Sequence, residues 1–193
     1  MSEVQSTFTL APGEPAPPFS LPDGSGEFHA LRDLAGEQGT IVIFACNHCP
    51  YVIHLAEAIG EFANDAGSRG IATVAINSND VENYPADSPD KMIEFAEEYG
   101  WDFPYLYDES QDVAAAYSAA CTPDFYLFDG DRNLVYCGQF DGSRPKNDKP
   151  ITGDDLGNAI EAMLEGEAAD ERPVPSSGCN IKWKDGNAPP YFQ

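Results

Sequence analysis

The 193-residue chain is long enough for one sizeable domain and too short for two full ones. Apolar residues make up 42% and aromatics 11%, material for a core burying roughly 70% of the unfolded surface, which excludes wholesale disorder. Lys+Arg number 10 against 33 Asp+Glu, and the resulting formal charge of -23 repels phosphate backbones and anionic headgroups, so neither nucleic acid nor a membrane is an expected partner.

Met1 to Phe19 lacks a basic start and an apolar run of signal-peptide type, and no uncharged apolar stretch reaches ~18 residues; the sequence predicts a soluble, cytoplasmic protein. Between residues 10 and 39, Pro12, Pro15, Pro17, Pro18 and Pro22 precede Gly24, Gly26, Gly36 and Gly39, which favours extended segments, turns and a short hairpin extension. Ile41 to Ala45 is a continuous apolar run, as in a strand buried on both faces. Val52, Leu55, Ala56, Ile59, Phe62, Ala63 and Ala66 then recur at helical spacing, with His54, Glu57, Glu61 and Asp65 opposite. Ile71 to Ile76 reads as a second buried strand, which completes a βαβ unit and sets the class as α/β.

Ser88 with Pro89 opens a second helix striped by Met92, Phe95, Ala96 and Tyr99 and stopped by Gly100. Phe103 to Tyr107 is a third strand, and Ser110 caps a short helix through Tyr117. Phe125–Phe128 and Leu134–Cys137 flank a polar turn like a hairpin. Thr152 with Asp155 reads as a capping box before a helix bearing Leu156, Ala159, Ile160 and Met163. An acidic, Pro-containing linker then runs to Pro175, giving a domain over 1–170 and a tail over 171–193, with no internal repeat.

The acidic residues are scattered, with no block of like charge, so they belong to a folded surface. So lopsided a ratio predicts a halophilic protein whose self-repulsion is relieved in molar salt, where the Debye length falls to ~3 Å.

Five cysteines in a chain of this length do not read as a secreted disulfide framework. Cys46-Asn47-His48-Cys49 lies where the first buried strand ends and the long helix begins. A thiol of pKa ~8.5 is about 3% thiolate at pH 7, and one of pKa ~6 about 90%. Lowering Cys46 that far takes ~3.4 kcal/mol, more than the ~0.3 to 1 kcal/mol a helix dipole usually supplies. Helix amides and His48 are the expected supplements.

Residues Pro12-Gly13-Glu14, Ala16-Pro17, Phe19 and Leu21, then Cys46-Asn47-His48-Cys49-Pro50, Cys121-Thr122-Pro123-Asp124-Phe125 and the tail Gly178-Cys179-Asn180-Ile181-Lys182-Trp183-Lys184 carry a family resemblance. The chain resembles the thioredoxin-fold redoxins, particularly their peroxiredoxin-like AhpC/TSA branch. The resemblance implies a thioredoxin-like fold with a central mixed sheet flanked by helices. It also implies Cys46 as exposed nucleophile, Cys49 as resolving cysteine, and Thr122-Pro123 as a cis-proline loop beside them. Two departures stand out: peroxiredoxins have Thr-x-x-Cys where this chain has Cys46-x-x-Cys49, and an Arg ahead of the strand near Phe125 where this chain reads Ala120-Cys121-Thr122-Pro123.

The expected function is thiol–disulfide exchange on protein or low-molecular-weight substrates, coupled to a thiol reductant system, with no dissociable cofactor and no metal. A thiol-dependent peroxidase is the alternative, and a metal carrier using Cys46, His48, Cys49 and His54 is a third reading, although the Cys-x-x-x-Cys spacing of copper-chaperone relatives is absent. Cys121 either faces the redox pair or is structural. Cys179 sits either on a mobile tail, as a resolving or intersubunit thiol, or in a tail docked by Ile181 and Trp183. Cys137 reads as core, His54 as solvated and His29 as structural. Asp129-x-Asp131-x-Asn133 is a turn, lacking the Gly and Glu of a calcium loop, and Gly24-Ser25-Gly26 lacks a phosphate-cradle setting.

Overall fold

A strand covered on both faces must be apolar at every position, and the predicted run becomes the centre of the sheet. In the computed structural model, which describes residues 3–168 and 172–192, it is β4 (Gly39–Phe44), buried throughout. The strands before it are β1 (Glu3–Gln5) and the predicted hairpin, β2 (Ser20–Pro22) with β3 (Phe28–Ala30); a short α1 (Leu31–Leu34) follows β3. After β4 come α2 (Pro50–Ser68), β5 (Ile71–Asn77), α3 (Pro89–Tyr99), β6 (Tyr105–Tyr107), α4 (Asp112–Tyr117) and β7 (Cys121–Thr122). The chain ends with β8 (Asp124–Asp129), β9 (Leu134–Gly138), α5 (Asp154–Leu164) and β10 (Ser177–Asn180). The main sheet has the order β6-β5-β4-β8-β9; β4 is parallel to β5 and antiparallel to β8.

Side-chain alternation divides the core into two layers. Ile41, Ile43, Ala75, Phe125 and Leu127 pack with the buried stripes of α2, α3 and α5. Val42, Phe44, Val74, Ile76, Tyr126 and Phe128 pack on the other side with Tyr117 and Leu31. The α2 stripe is the predicted one, with Gly60 added; a Cβ there would meet the Tyr99 carbonyl oxygen at 2.7 Å, so glycine lets the end of α3 approach α2 closely.

Ser88, Pro89 and left-handed Gly100 bound α3 as expected. Three local expectations fail. β6 begins at Tyr105 because Pro104 has no N–H to donate; its carbonyl accepts Ala75 N at 3.0 Å. The first amides of α4 are held by Asp108, which accepts Val113 N at 3.4 Å and Ala114 N at 2.9 Å, while Ser110 Oγ takes only Asp112 N. The Thr152–Asp155 capping box does not form. Gly153, at φ 66°, precedes α5; Asp141 Oδ2 accepts the amides of Thr152 and Gly153 at 2.7 and 2.8 Å, and the Asp155 carboxylate is bound by Gln139.

The tail is docked. β10 lies between β7 and β1 in a second, antiparallel sheet of order β1-β10-β7. Part of the expected linker, residues 169–171, lies outside the described residues. No helix among the described residues is long and apolar enough to cross a membrane.

Candidate active site

The carboxyl end of β4 delivers Cys46, and the start of α2 delivers Cys49, which is its N-cap residue ahead of Pro50. The third component is the β7–β8 junction, where the Thr122–Pro123 peptide is cis as the resemblance implies. Thr122 touches both sulfurs. Its Oγ1 lies 3.5 Å from Cys46 Sγ, and its carbonyl oxygen accepts the Cys49 thiol at 3.2 Å. The two sulfurs lie in one buried cluster, and each perturbs the ionisation of the other.

Cys46 is 1% exposed and Cys49 0%, which corrects the expectation of an exposed Cys46. The thiol held below its ordinary range is also the other one. Cys49 is lowered by donors, first the Cys179 thiol, then Cys46, and further by the Thr122 contact and the Val52 amide in the first turn of α2. Cys46 is raised, first because its thiol donates to Cys49, then by burial and by the negative charge of Asp87. Within the pair Cys49 is the more readily ionised thiol and Cys46 the less.

His48 is bound to Asp87, a residue the sequence reading missed, with a ring nitrogen within 4.8 Å of Cys46 Sγ. Asp87, with 0% side-chain exposure, accepts four donors: Asn47 N at 2.8 Å and His48 N at 3.2 Å on Oδ1, with His48 Nδ1 at 2.6 Å and Asn79 Nδ2 at 2.9 Å on Oδ2. A carboxylate only accepts, so Nδ1 carries a proton and Nε2 is the ring nitrogen outside that bond; it is buried, with no hydrogen-bond partner among the described residues. Tyr84 stacks on His48 with ring centroids 5.7 Å apart, and Lys182 Nζ lies 5.7 Å over the Tyr84 ring. Tyr105 OH donates to Asn47 Oδ1 at 2.9 Å. Asn77-Ser78-Asn79-Asp80, a polar run that starts on the last residue of the buried strand β5, is the sequence signal for this network, since sites in α/β sheets gather at strand carboxyl ends.

The tail motif buttresses that network. Lys182 N donates to Asn79 Oδ1 at 2.8 Å, Asp80 N donates to Lys182 O at 2.9 Å, and Gln111 Nε2 bridges Ser78 O and Lys182 O. Cys179, 3% exposed in β10, pairs with Thr122 in the ladder and belongs to the same buried cluster as Cys46 and Cys49. Cys121 is buried with its thiol directed to the carbonyls of Pro123 and Ser176 at 3.6 and 3.9 Å, and burial raises it. Cys137 is packed in the second core layer. None of the five cysteines is in a disulfide.

Cys46, His48 and Asp87 each offer a potential metal ligand within 4.8 Å of the others. Cys49 and His54 are not in that group, and His48 and Asp87 already satisfy each other. His54 is not simply solvated; it is half-buried and bonded to Ser143 Oγ at 2.8 Å. His29 pairs with Asp23 at 2.9 Å, and these two with Glu27 form a second such group. Asp129 Oδ1 accepts the amides of Asp131 and Asn133, as a turn does.

The thiol-disulfide oxidoreductase ResA of Halalkalibacterium halodurans is 28% identical over 127 residues, 64% of this chain and 65% of that protein. Peroxiredoxin Bcp of Escherichia coli K12 is 25% identical over 135 residues, 69% of this chain and 81% of that protein. The crystal structure of an uncharacterized conserved protein from Geobacillus kaustophilus superposes with a TM-score of 0.91 at 50% identity, covering 95% of this chain and 97% of that one. The fold is thioredoxin-like, and with the AhpC/TSA family matching residues 12–137, well over half its length, the chain belongs to that family.

Proposed function

We propose that the chain is a thiol–disulfide oxidoreductase whose working pair is Cys46 and Cys49. The observation that carries this reading is Thr122 beside the cis peptide, in contact with both sulfurs at 3.5 and 3.2 Å. Cys49 is the thiol of the pair that ionises more readily, and transfer of the Cys46 proton to it places the charge on Cys46. Cys46 then attacks one sulfur of a protein or low-molecular-weight disulfide, and the second substrate sulfur leaves as a thiolate that takes up a proton. Cys49 gives up its proton and attacks Cys46 Sγ in the mixed disulfide, expelling the remaining thiol and leaving Cys46–Cys49 oxidised. A thiol reductant system restores the dithiol by the reverse exchange, and no step requires a dissociable cofactor.

His48 and Asp87 take a positioning role: Asp87 fixes the imidazole through Nδ1, and Nε2 is the nitrogen available to exchange a proton at the mouth of α2. We assign the chain to the cytoplasm, since its five cysteines do not read as a secreted disulfide framework, and to a high-salt milieu consistent with its charge of -23.

A thiol peroxidase is the second reading, favoured by the lowered Cys49, which stands where peroxiredoxins have the cysteine of Thr-x-x-Cys. There Cys49 thiolate attacks one peroxide oxygen, the O–O bond breaks and the other oxygen leaves as hydroxide or alkoxide that takes up a proton; a neighbouring thiol then attacks the resulting sulfenic acid, displacing water to close a disulfide. The test is the Cys49→Ser protein incubated with reduced and oxidised insulin. Mixed disulfides accumulate through residue 46 and vanish in Cys46→Ser under exchange chemistry. Peroxide consumption without insulin reduction favours the second reading, and stoichiometric metal after purification would displace both.

A further inference from the structure

We propose that Cys179 is a third redox thiol, and that the disulfide of Cys49 passes from Cys46 to Cys179 within the chain. The proposal rests on the Cys46–Cys49 reading above and extends it.

Three sulfurs converge on one residue. Thr122 holds Cys46 by its hydroxyl and Cys49 by its carbonyl, and Thr122 is itself the ladder partner of Cys179 between β7 and β10. Cys46, Cys49 and Cys179 lie in one buried cluster, and Cys179, like Cys46, acts on the ionisation of Cys49. β10 is fixed in that position from both sides, since Cys179 also pairs with Glu3 of β1. The close approach depends on Gly178, where a Cβ would lie 1.9 Å from the Thr122 carbonyl oxygen. At 3% exposure, Cys179 is out of reach of a second chain, and its accessible sulfur partner is internal. Cys121, next along β7, has its thiol on backbone carbonyls and takes no part in the cluster.

The step is an isoelectronic exchange. Starting from the Cys46–Cys49 disulfide, Cys179 loses its proton and attacks Cys49 Sγ. The Cys49–Cys179 bond forms, the Cys46–Cys49 bond breaks, and the electron pair leaves on Cys46, which takes up the proton. The chain keeps its two-electron oxidation while Cys46 becomes a thiol again. In the reduced chain the Cys179 thiol is raised, first by donating to Cys49 and then by burial. The first cause disappears once Cys49 is in a disulfide and carries no charge, whereas the lowering influence of Lys182 persists. The oxidised state is therefore the one in which Cys179 ionises more readily.

The experiment oxidises the full-length wild type, Cys46→Ser and Cys46→Ser/Cys179→Ser with diamide, blocks remaining thiols by alkylation at low pH, and maps disulfides by non-reducing peptide mass spectrometry. The expected results are Cys46–Cys49 together with Cys49–Cys179 in wild type, Cys49–Cys179 as the main intramolecular disulfide in Cys46→Ser, and its complete loss in the double variant. Wild-type chains that form Cys46–Cys49 while residue 179 stays fully alkylated overturn the relay and leave the dithiol reading intact. A wild type that forms neither Cys46–Cys49 nor Cys49–Cys179 instead overturns the underlying reading. Partial oxidation of wild type gives the same answer should Cys46→Ser not fold, because molecules with alkylated Cys46 and linked Cys49–Cys179 are distinguishable by mass.

Discussion

Asp87→Asn probes the electrostatics of the site with two effects of opposite benefit. An Asp87 carboxylate oxygen lies within 4.8 Å of Cys46 Sγ, and both groups are buried. At an effective dielectric of ~20, unit charges at that separation interact by roughly 3.5 kcal/mol. The negative charge opposes ionisation of Cys46, so neutralising it makes the Cys46 thiolate easier to form. Half of that interaction surviving structural relaxation still corresponds to an increase of more than about tenfold in thiolate at pH values where little is present. The comparison belongs in a Cys49→Ser background, which leaves Cys46 as the reactive member of the pair. Iodoacetamide labelling at pH 7, followed by peptide mapping, should show Cys46 alkylated at least about tenfold faster in the Asp87→Asn protein than in the one that keeps Asp87.

The same change costs stability. An amide at position 87 keeps one oxygen for the amides of Asn47 and His48 but sets an NH2 group against the Asn79 amide and His48 Nδ1. Charge-assisted hydrogen bonds of this kind contribute ~1.5 to 3 kcal/mol each, so the loss should be about 2 to 4 kcal/mol. With a urea m-value of ~2 kcal/mol/M, the midpoint falls by about 1 to 2 M. Faster labelling with reduced stability supports the argument. Labelling that is unchanged or slower in a folded variant refutes the assignment of Asp87 as the group that holds Cys46 protonated.

Burial raises Asp124 from 3.8 to about 7, where it accepts Ser6 Oγ at 2.7 Å and Tyr126 OH at 3.2 Å. Its folded value lies above its unfolded one, so its stabilising contribution is complete below about pH 4 and is lost as pH rises through about 7, on the order of 4 kcal/mol in all. Urea midpoints measured from pH 4.5 to 8 should fall more steeply in wild type than in Asp124→Asn, and parallel curves would contradict it. Gly178→Ala forces β10 off the Thr122 carbonyl, which a Cβ would meet at 1.9 Å. The expected loss is about 3 kcal/mol, or roughly 6 to 12 °C in Tm, and an unchanged Tm would show that the two strands separate freely. With a charge of -23, Tm should rise by at least about 3 °C between dilute buffer and molar KCl; a flat profile refutes the halophilic reading.

The parts of the molecule written in local pattern were legible. Ile41 to Ala45 announces a doubly covered strand because no exposed strand tolerates such a run, and the α2 stripe repeats at the helical period over four turns. Cys46-Asn47-His48-Cys49 sits between them, so the sulfur pair and its helix follow from sequence order alone. Asp87 was not legible, because nothing local distinguishes it from the other acidic residues; its role arises from a turn that folds residues 77–88 back over the start of α2. Cys179 depended on strand pairing across more than fifty residues. Once that register is known the rest is parity: Thr122 faces the sulfurs, so Cys121 turns the other way. The capping box failed for a related reason, since a tertiary acceptor, Asp141, outcompeted the local one.

The same geometry orders charge along the three sulfurs. Asp87 lies on the Cys46 side and disfavours negative charge there; Lys182 acts on the Cys179 side and favours it. Cys49, between them, collects donors from both neighbours and from the start of α2. Negative charge is thus drawn inward from the end where a substrate arrives toward the end held by the tail, which suits a dithiol that releases its substrate and then keeps its disulfide inside. Because Asp87 and Lys182 are both buried, salt that screens the acidic surface acts on them only weakly. Stabilisation of the fold by salt and ordering of the thiols are therefore separable. Relative alkylation of Cys46 and Cys49 should be the same in dilute buffer and in molar KCl even as Tm moves, and a reversal of their order would mean that the surface charge, not this buried pair, sets the polarity of the site.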